Sequence, residues 1–140
     1  RLDQADDPVR FELETALGVR LPNDYRRFVA QCQGGRPVDR RRVPYRGPRG
    51  RQCMTSLGAM LRIDDDGENI RRAMENLGID DQLPQGLVPF GEVGNGDLFC
   101  FRYHNGEASV VLWLHAADEN AAIVPIADTF TEFVRGLERR

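Results

Sequence analysis

Between Leu83 and Tyr103 the chain reads Leu-Pro-Gln-Gly-Leu-Val-Pro-Phe-Gly-Glu-Val-Gly-Asn-Gly-Asp-Leu-Phe-Cys-Phe-Arg-Tyr, two apolar runs separated by turn residues. Runs of this length bounded by glycine, proline and asparagine read as strands. Asn95-Gly96 suits a reversal with positive φ, because glycine has no Cβ to clash and asparagine tolerates the left-handed region. The segment therefore predicts a β-hairpin with strands Leu87 to Val93 and Asp97 to Tyr103. Asn105-Gly106 repeats the turn signal, and further strands are expected from Ala108 to His115 and from Ala121 to Ile126. Four consecutive strands with short joints favour an antiparallel meander, since parallel neighbours need long crossovers. Alternation places Phe99, Phe101 and Tyr103 on one sheet face and Leu98, Cys100 and Arg102 on the other, and the aromatic face should meet helices. Trp113 reads as a core residue of its apolar strand.

Helical spacing dominates elsewhere. Asp7-Pro8 followed by Val9, Leu13, Ala16 and Leu17 supplies a cap, a proline at the first helical position and an apolar stripe, with Gly18 as the stop. A second helix is expected from Pro22 to Cys32, with Tyr25, Phe28, Val29 and Cys32 on one face and Gly34-Gly35 beyond it. These two helices should each close the other's apolar stripe. A third is expected through Ile70, Met74 and Leu77, with Asp65, Asp66 and Glu68 near its positive end and Gly78 terminating it. A last helix follows Asp128 or Thr129, where Thr129 and Glu132 have capping-box spacing and Phe130, Phe133, Val134 and Leu137 form the stripe. Between the helix pair and the third helix, Arg36 to Gln52 reads as a loop with one short strand around Val43, and a strand is expected near Ala59 to Ile63. The order describes an α+β domain: an antiparallel sheet of about four to six strands carrying an N-terminal helix pair, a middle helix and a C-terminal helix.

The 140 residues fit a single domain spanning 1–140, burying roughly two-thirds of the surface of the unfolded chain. No uninterrupted apolar run approaches the ~18 residues of a membrane span. The chain starts at Arg1 rather than methionine, which is compatible with a removed N-terminal segment. Three widely spaced cysteines, Cys32, Cys53 and Cys100, argue for reduced thiols and a cytoplasmic location. Charge is unevenly spread. Arg36 to Arg51 holds seven arginines against one acid, a balance of +6, so the remainder stands at −9 to reach the total of −3.

Searches for converging chemistry return little. Cys100 with His115 or His104 is the available thiol–imidazole combination, but Cys100 sits mid-strand as a small hydrophobe. No cysteine or histidine pair has zinc spacing, and Asp64-Asp65-Asp66-Gly67 lacks the alternating ligands of a calcium loop. Gly91, Gly94 and Gly96 precede a strand, not the helix a dinucleotide fingerprint requires. No catalytic residue, metal ligand or cofactor is therefore expected. The arginine segment is the one feature pointing to nucleic acid, weighed against an acidic chain of sequence pI ≈ 5.4 with a single aromatic, Tyr45, in that segment.

Taken in order, these pieces resemble the SUKH superfamily, in its Smi/Knr-type branch similar to the fungal cell-wall-assembly regulators. The resemblance is carried by Leu21-Pro22-Asn23-Asp24-Tyr25-Arg26-Arg27-Phe28 with Gln33-Gly34-Gly35-Arg36-Pro37, and by Leu87-Val88-Pro89-Phe90-Gly91 through Gly94-Asn95-Gly96-Asp97. Val111 to Trp113 and Ile126-Ala127-Asp128-Thr129-Phe130-Thr131-Glu132-Phe133 complete it. Two departures stand out: Gln33 where asparagine more often precedes the paired glycines, and the arginine-rich segment after Gly35. The resemblance implies an α+β fold and a non-enzymatic immunity protein that neutralises a toxin delivered between bacteria, often a nuclease, by protein binding. A regulatory or scaffold module bound to an intracellular protein is the alternative. Glu92, Asn95 and Asp97, beside the hairpin turn, are the candidate partner-facing residues; the competing reading is that Asn95 and Gly96 make the turn and Asp97 bonds to its backbone.

Overall fold

The two apolar runs become neighbouring strands of one sheet. The computed structural model describes residues 8–29, 41–46, 50–61, 69–79, 86–93, 96–115 and 122–138. Within them lie α1 (Pro8–Leu17), α2 (Asn23–Val29), β1 (Arg41–Arg46), β2 (Gln52–Leu57), β3 (Ala59–Met60), α3 (Ile70–Ile79), β4 (Leu87–Glu92), β5 (Leu98–His104), β6 (Glu107–Trp113), β7 (Ile123–Ala127) and α4 (Phe130–Glu138). Strands β3 to β7 form an antiparallel sheet in chain order, which is the expected meander with one short strand added at its edge. At the β5–β6 turn His104 pairs with Glu107, and Asn105 and Gly106 both take positive φ (51° and 81°), as a two-residue type I′ turn requires. None of the described helices is long and apolar enough to cross a membrane.

Inside β4 the Pro-Phe-Gly triplet has a specific task. Pro89 pairs with Cys100 and Gly91 with Phe99, so the register slips at Phe90 and a bulge forms, the setting in which a sheet tolerates proline. Phe90 shares the core face with Val88 by alternation, fully buried and stacked on Phe101 with ring centroids 4.4 Å apart, and the slip brings Gly91 to that same face opposite Phe99. Gly91 leaves room there for Leu57, whose Cδ1 would have to move from a Cβ 2.8 Å away.

The aromatic sheet face meets helices as expected. Phe99 and Phe101 join Phe90, Tyr25, Phe130 and Phe133 in one buried cluster with Leu13, Leu21 and Leu137. The N-terminal helices do not simply close on each other: Tyr25 and Phe28 of α2 pack edge-on against Phe130 of α4, at 5.2 and 5.3 Å. The opposite sheet face is also buried, with Leu87, Leu98, Cys100, Val111, Trp113 and Ala122 in a second cluster. Trp113 is thus a core residue.

Helix ends follow the chemistry of their caps. Gly18 closes α1 at φ 76°, its N–H donating to Glu14 O. Thr129 Oγ1 accepts from Glu132 N (3.1 Å) while Glu132 Oε2 accepts from Asp128 N (3.3 Å), a capping box whose return bond reaches one residue further back than usual. At α3 the cap is Asn69, 4% exposed, whose Oδ1 accepts from Arg72 N at 2.8 Å. The acids expected there, Asp65, Asp66 and Glu68, lie outside the described residues, as do Cys32 and the Gly34-Gly35 stop. The helix also runs through Gly78 to Ile79 rather than ending at it.

One expectation needs extending. The short strand expected around Val43 is β1, and it has a partner that was not expected, β2, paired antiparallel with it from Arg41–Leu57 to Arg46–Gln52. The period-2 pattern of β1 is masked by charge, since its apolar side is only Val43 and Tyr45.

Candidate functional site

Gly96-Asp97, the described end of the signature segment Leu87 to Asp97, meets a histidine that sequence reasoning did not connect to it. Asp97 Oδ1 accepts from His115 N at 3.1 Å and from the ring Nδ1 at 2.6 Å. A carboxylate only accepts, so Nδ1 carries the proton. The imidazole lies over Gly96, whose φ is 104° and where a Cβ would come within 2.9 to 3.0 Å of three ring atoms. The Gly-Asp pair of the signature therefore seats the ring of His115 and fixes the end of β6 to the start of β5. Asp97 thus bonds to a residue 18 positions on in the chain.

Glu92 ends β4 half-buried, and its carbonyl accepts from Gly58 N at 2.8 Å, joining the signature turn to the exit of β2. Asn95 lies outside the described residues. Tyr45 of the ribbon completes the neighbourhood: burial, the adjacent Cys53 thiol and the Asp97 charge together push its phenol up from its ordinary value. Glu92, Asp97, His115, Tyr45 and Cys53 thus lie at one end of the molecule where β2, β4 and β5 meet.

The other family-like motif works in the interior. Leu21 and Tyr25 are buried, and Leu21 N donates to Glu14 Oε2 at 2.6 Å. Asp24 caps a helix 107 positions away in sequence, its Oδ2 accepting from Thr131 N at 2.9 Å and Thr131 Oγ1 at 2.8 Å. Its Oδ1 accepts from Tyr25 N. Nothing local in the sequence links Asp24 to Thr131.

A cleft of about 730 Å³ opens where the α1–α2 joint, the β5–β6 turn and the start of α4 meet, lined in part by Arg20, Asn23, Arg26, Tyr103, Glu107 and Asp128. Its wall carries both signs of charge and contains no cysteine or histidine. The Tyr103 hydroxyl there donates to Arg20 O at 2.8 Å.

The thiol–imidazole combination does not assemble. Cys100 is fully buried, and burial pushes its thiol far above the ordinary range. His115 is held by Asp97, and His104 is exposed at the end of β5. No three histidine, cysteine or acidic side chains gather as a metal site among the described residues.

The ribbon presents a different surface. Val43, Tyr45, Cys53 and Leu57 alternate inward, while Arg42, Arg46, Gln52 and Met54 are exposed on the other side. Met54 is 58% exposed, and among the described residues it is the one large apolar side chain left in water. The arginine count flagged this segment; its two faces were not legible without the pairing.

Against known proteins, the model of the SMI1 / KNR4 family (SUKH-1) matches residues 11–136. No curated protein and no solved structure gives a significant match.

Proposed function

Because the chain belongs to the SMI1 / KNR4 family (SUKH-1), we propose that it is an immunity protein, acting as one domain over residues 1–140 in the bacterial cytoplasm. It binds and neutralises a toxin delivered between bacteria by covering it, without chemistry of its own. Family membership over nearly the whole chain carries this reading. The fates of the ionisable side chains support it: Asp97 holds His115, Asp24 caps α4 and Glu14 holds the α1–α2 joint, so these carboxylates serve the scaffold.

A nuclease is the target class the family resemblance favours. The acidic body, −9 outside the arginine segment, would speed encounter with a basic nuclease at low salt. In this reading Glu92, Asn95 and Asp97 contribute to the partner-facing surface, Asp97 through the half-exposed His115 ring it holds.

Co-expression decides the matter. A toxin-like reading frame beside this gene, expressed alone, should stop growth, and co-expression of this chain should restore it. Soluble expression without rescue would overturn the immunity reading and leave the regulatory one. Charge reversal at Glu92 and Asp97 with unchanged toxin affinity would remove those residues from the interface.

A further inference from the structure

We propose that the outward face of the β1–β2 ribbon is a protein-docking surface that receives an acidic patch on the partner, an inference resting on the immunity reading above. Pairing sets its layout. Pro44 faces Met54, Arg46 faces Gln52 and Arg42 faces Ser56, so Met54 stands between two exposed arginines. Those arginines are four residues apart on one strand, about 14 Å at a strand's rise per residue.

Three observations converge on this face. It holds the one large exposed apolar side chain among the described residues. Arg42 and Arg51 have no carboxylate partner among the described residues, and Arg46 gives one Nη1 bond to the Gly50 carbonyl, leaving its remaining N–H donors outward. Neither β1 nor β2 contains an acidic residue. A lone exposed methionine is ordinary. An exposed methionine framed by uncompensated guanidinium groups has the composition of an interface centre, where methionine and arginine are enriched and lysine is depleted.

The apolar centre favours a protein over a nucleic acid. A phosphate backbone would satisfy the arginines but offers nothing to cover Met54. An acidic protein patch with an apolar centre satisfies both. Position fits as well: Gly58, one residue beyond β2, bonds to Glu92 at the signature turn, so one partner of ordinary footprint, about 800 Å² per side, covers both regions.

The test measures affinity for the toxin encoded beside this gene, by calorimetry, for the wild type and for R42E/R46E/R51E, M54A and R102E. Arg102 is exposed on β5, away from the ribbon, and controls for net charge. The triple reversal should weaken binding about 100-fold, M54A about tenfold and R102E less than about twofold, with the wild-type affinity falling as salt rises. Thermal melting checks the fold of each variant, and if the triple variant unfolds, R42E alone should still cost about fivefold. Wild-type binding with undiminished affinity of the ribbon variants would overturn the proposal and leave the immunity reading intact. A wild type that binds no toxin would overturn both. A duplex DNA of about 20 base pairs is titrated in parallel, and ribbon-dependent DNA binding with ribbon-independent toxin binding would make this a nucleic-acid surface instead.

Discussion

Asp24→Ala removes one carboxylate and strands three donors: Thr131 N, Thr131 Oγ1 and Tyr25 N. Hydrogen bonds to a charged acceptor contribute about 1.5–3 kcal/mol each in favourable cases. Loss of a helix cap costs about 0.5–2 kcal/mol, and loss of a negative charge at a helix N-terminus about 0.3–1 kcal/mol. These contributions overlap, and water reaches part of the site, since Asp24 and Thr131 are each half-buried. The net loss should be about 2–3 kcal/mol, a large share of a total stability of about 5–15 kcal/mol. In urea, with a slope of about 1–3 kcal/mol per molar, the midpoint should fall by about 1–2 M. Asp24→Asn keeps an acceptor without the charge and should lose about 1 kcal/mol. The Asp24→Ala and Thr131→Ala cycle should give a coupling of about 1–2 kcal/mol. A loss below about 0.5 kcal/mol for Asp24→Ala, the range of an ordinary surface change, would refute the cross-chain cap, as would zero coupling.

Gly96→Ala should cost about 1–3 kcal/mol, since φ is 104° and the new Cβ would meet the His115 ring. In a His115→Ala background the same change should cost less, and equal costs in thermal melting would show that the ring contact is irrelevant. Phe90→Ala, beside the bulge, should lose about 3–5 kcal/mol in urea titration, and a value near 1 kcal/mol would mean the cluster closes over the gap. Alkaline pH should destabilise the fold. Burial raises the Cys100, Tyr25 and Tyr103 values, with the Tyr103 charge adding at Tyr25 and Glu14 adding at Tyr103. The folded chain therefore keeps protons that the unfolded chain sheds from about pH 9 for the thiol and pH 10 for the phenols. The contribution of these three groups should be constant below pH 9 and then fall by about 1.4 kcal/mol per pH unit for each fully buried group, somewhat less for the partly exposed Tyr103. Equal urea midpoints at about pH 8 and about pH 11 would contradict that assignment.

What could be read from the sequence was whatever is decided within about ten residues. Alternating apolar runs and the Asn105-Gly106 turn determine the meander, because each strand pairs with its neighbour in the chain. Pro8, Gly18 and the Thr129–Glu132 box mark helix ends through local bonds. The pairing of β1 with β2 escaped because Gln52 to Leu57 has only a weak apolar alternation, and β1 carries arginines on its outer side with Pro44 interrupting it. Asp24–Thr131 and Asp97–His115 escaped because each joins distant positions with no local pattern. The bulge at Phe90 is an intermediate case: Pro89 and Gly91 advertise an irregularity, but only the pairing shows that it turns Phe90 and Gly91 to the same face. The family-like motifs were legible as strings, and their tasks became clear only once their partners were in place.

Helix α4 has a consequence for biosynthesis. It supplies Phe130, Phe133 and Leu137 to a cluster whose other members come from α1, α2, α3 and every strand from β1 to β7. A ribosome therefore completes the whole sheet before α4, the C-terminal part of that cover, exists, and Asp24 waits for Thr131 through 107 positions of synthesis. At about 5–20 residues per second, that interval is about 5–20 seconds. For that time the carboxylate that will cap α4 has no helix to cap, so the contact that fastens α2 to α4 forms only after strands β1 to β7 have been made.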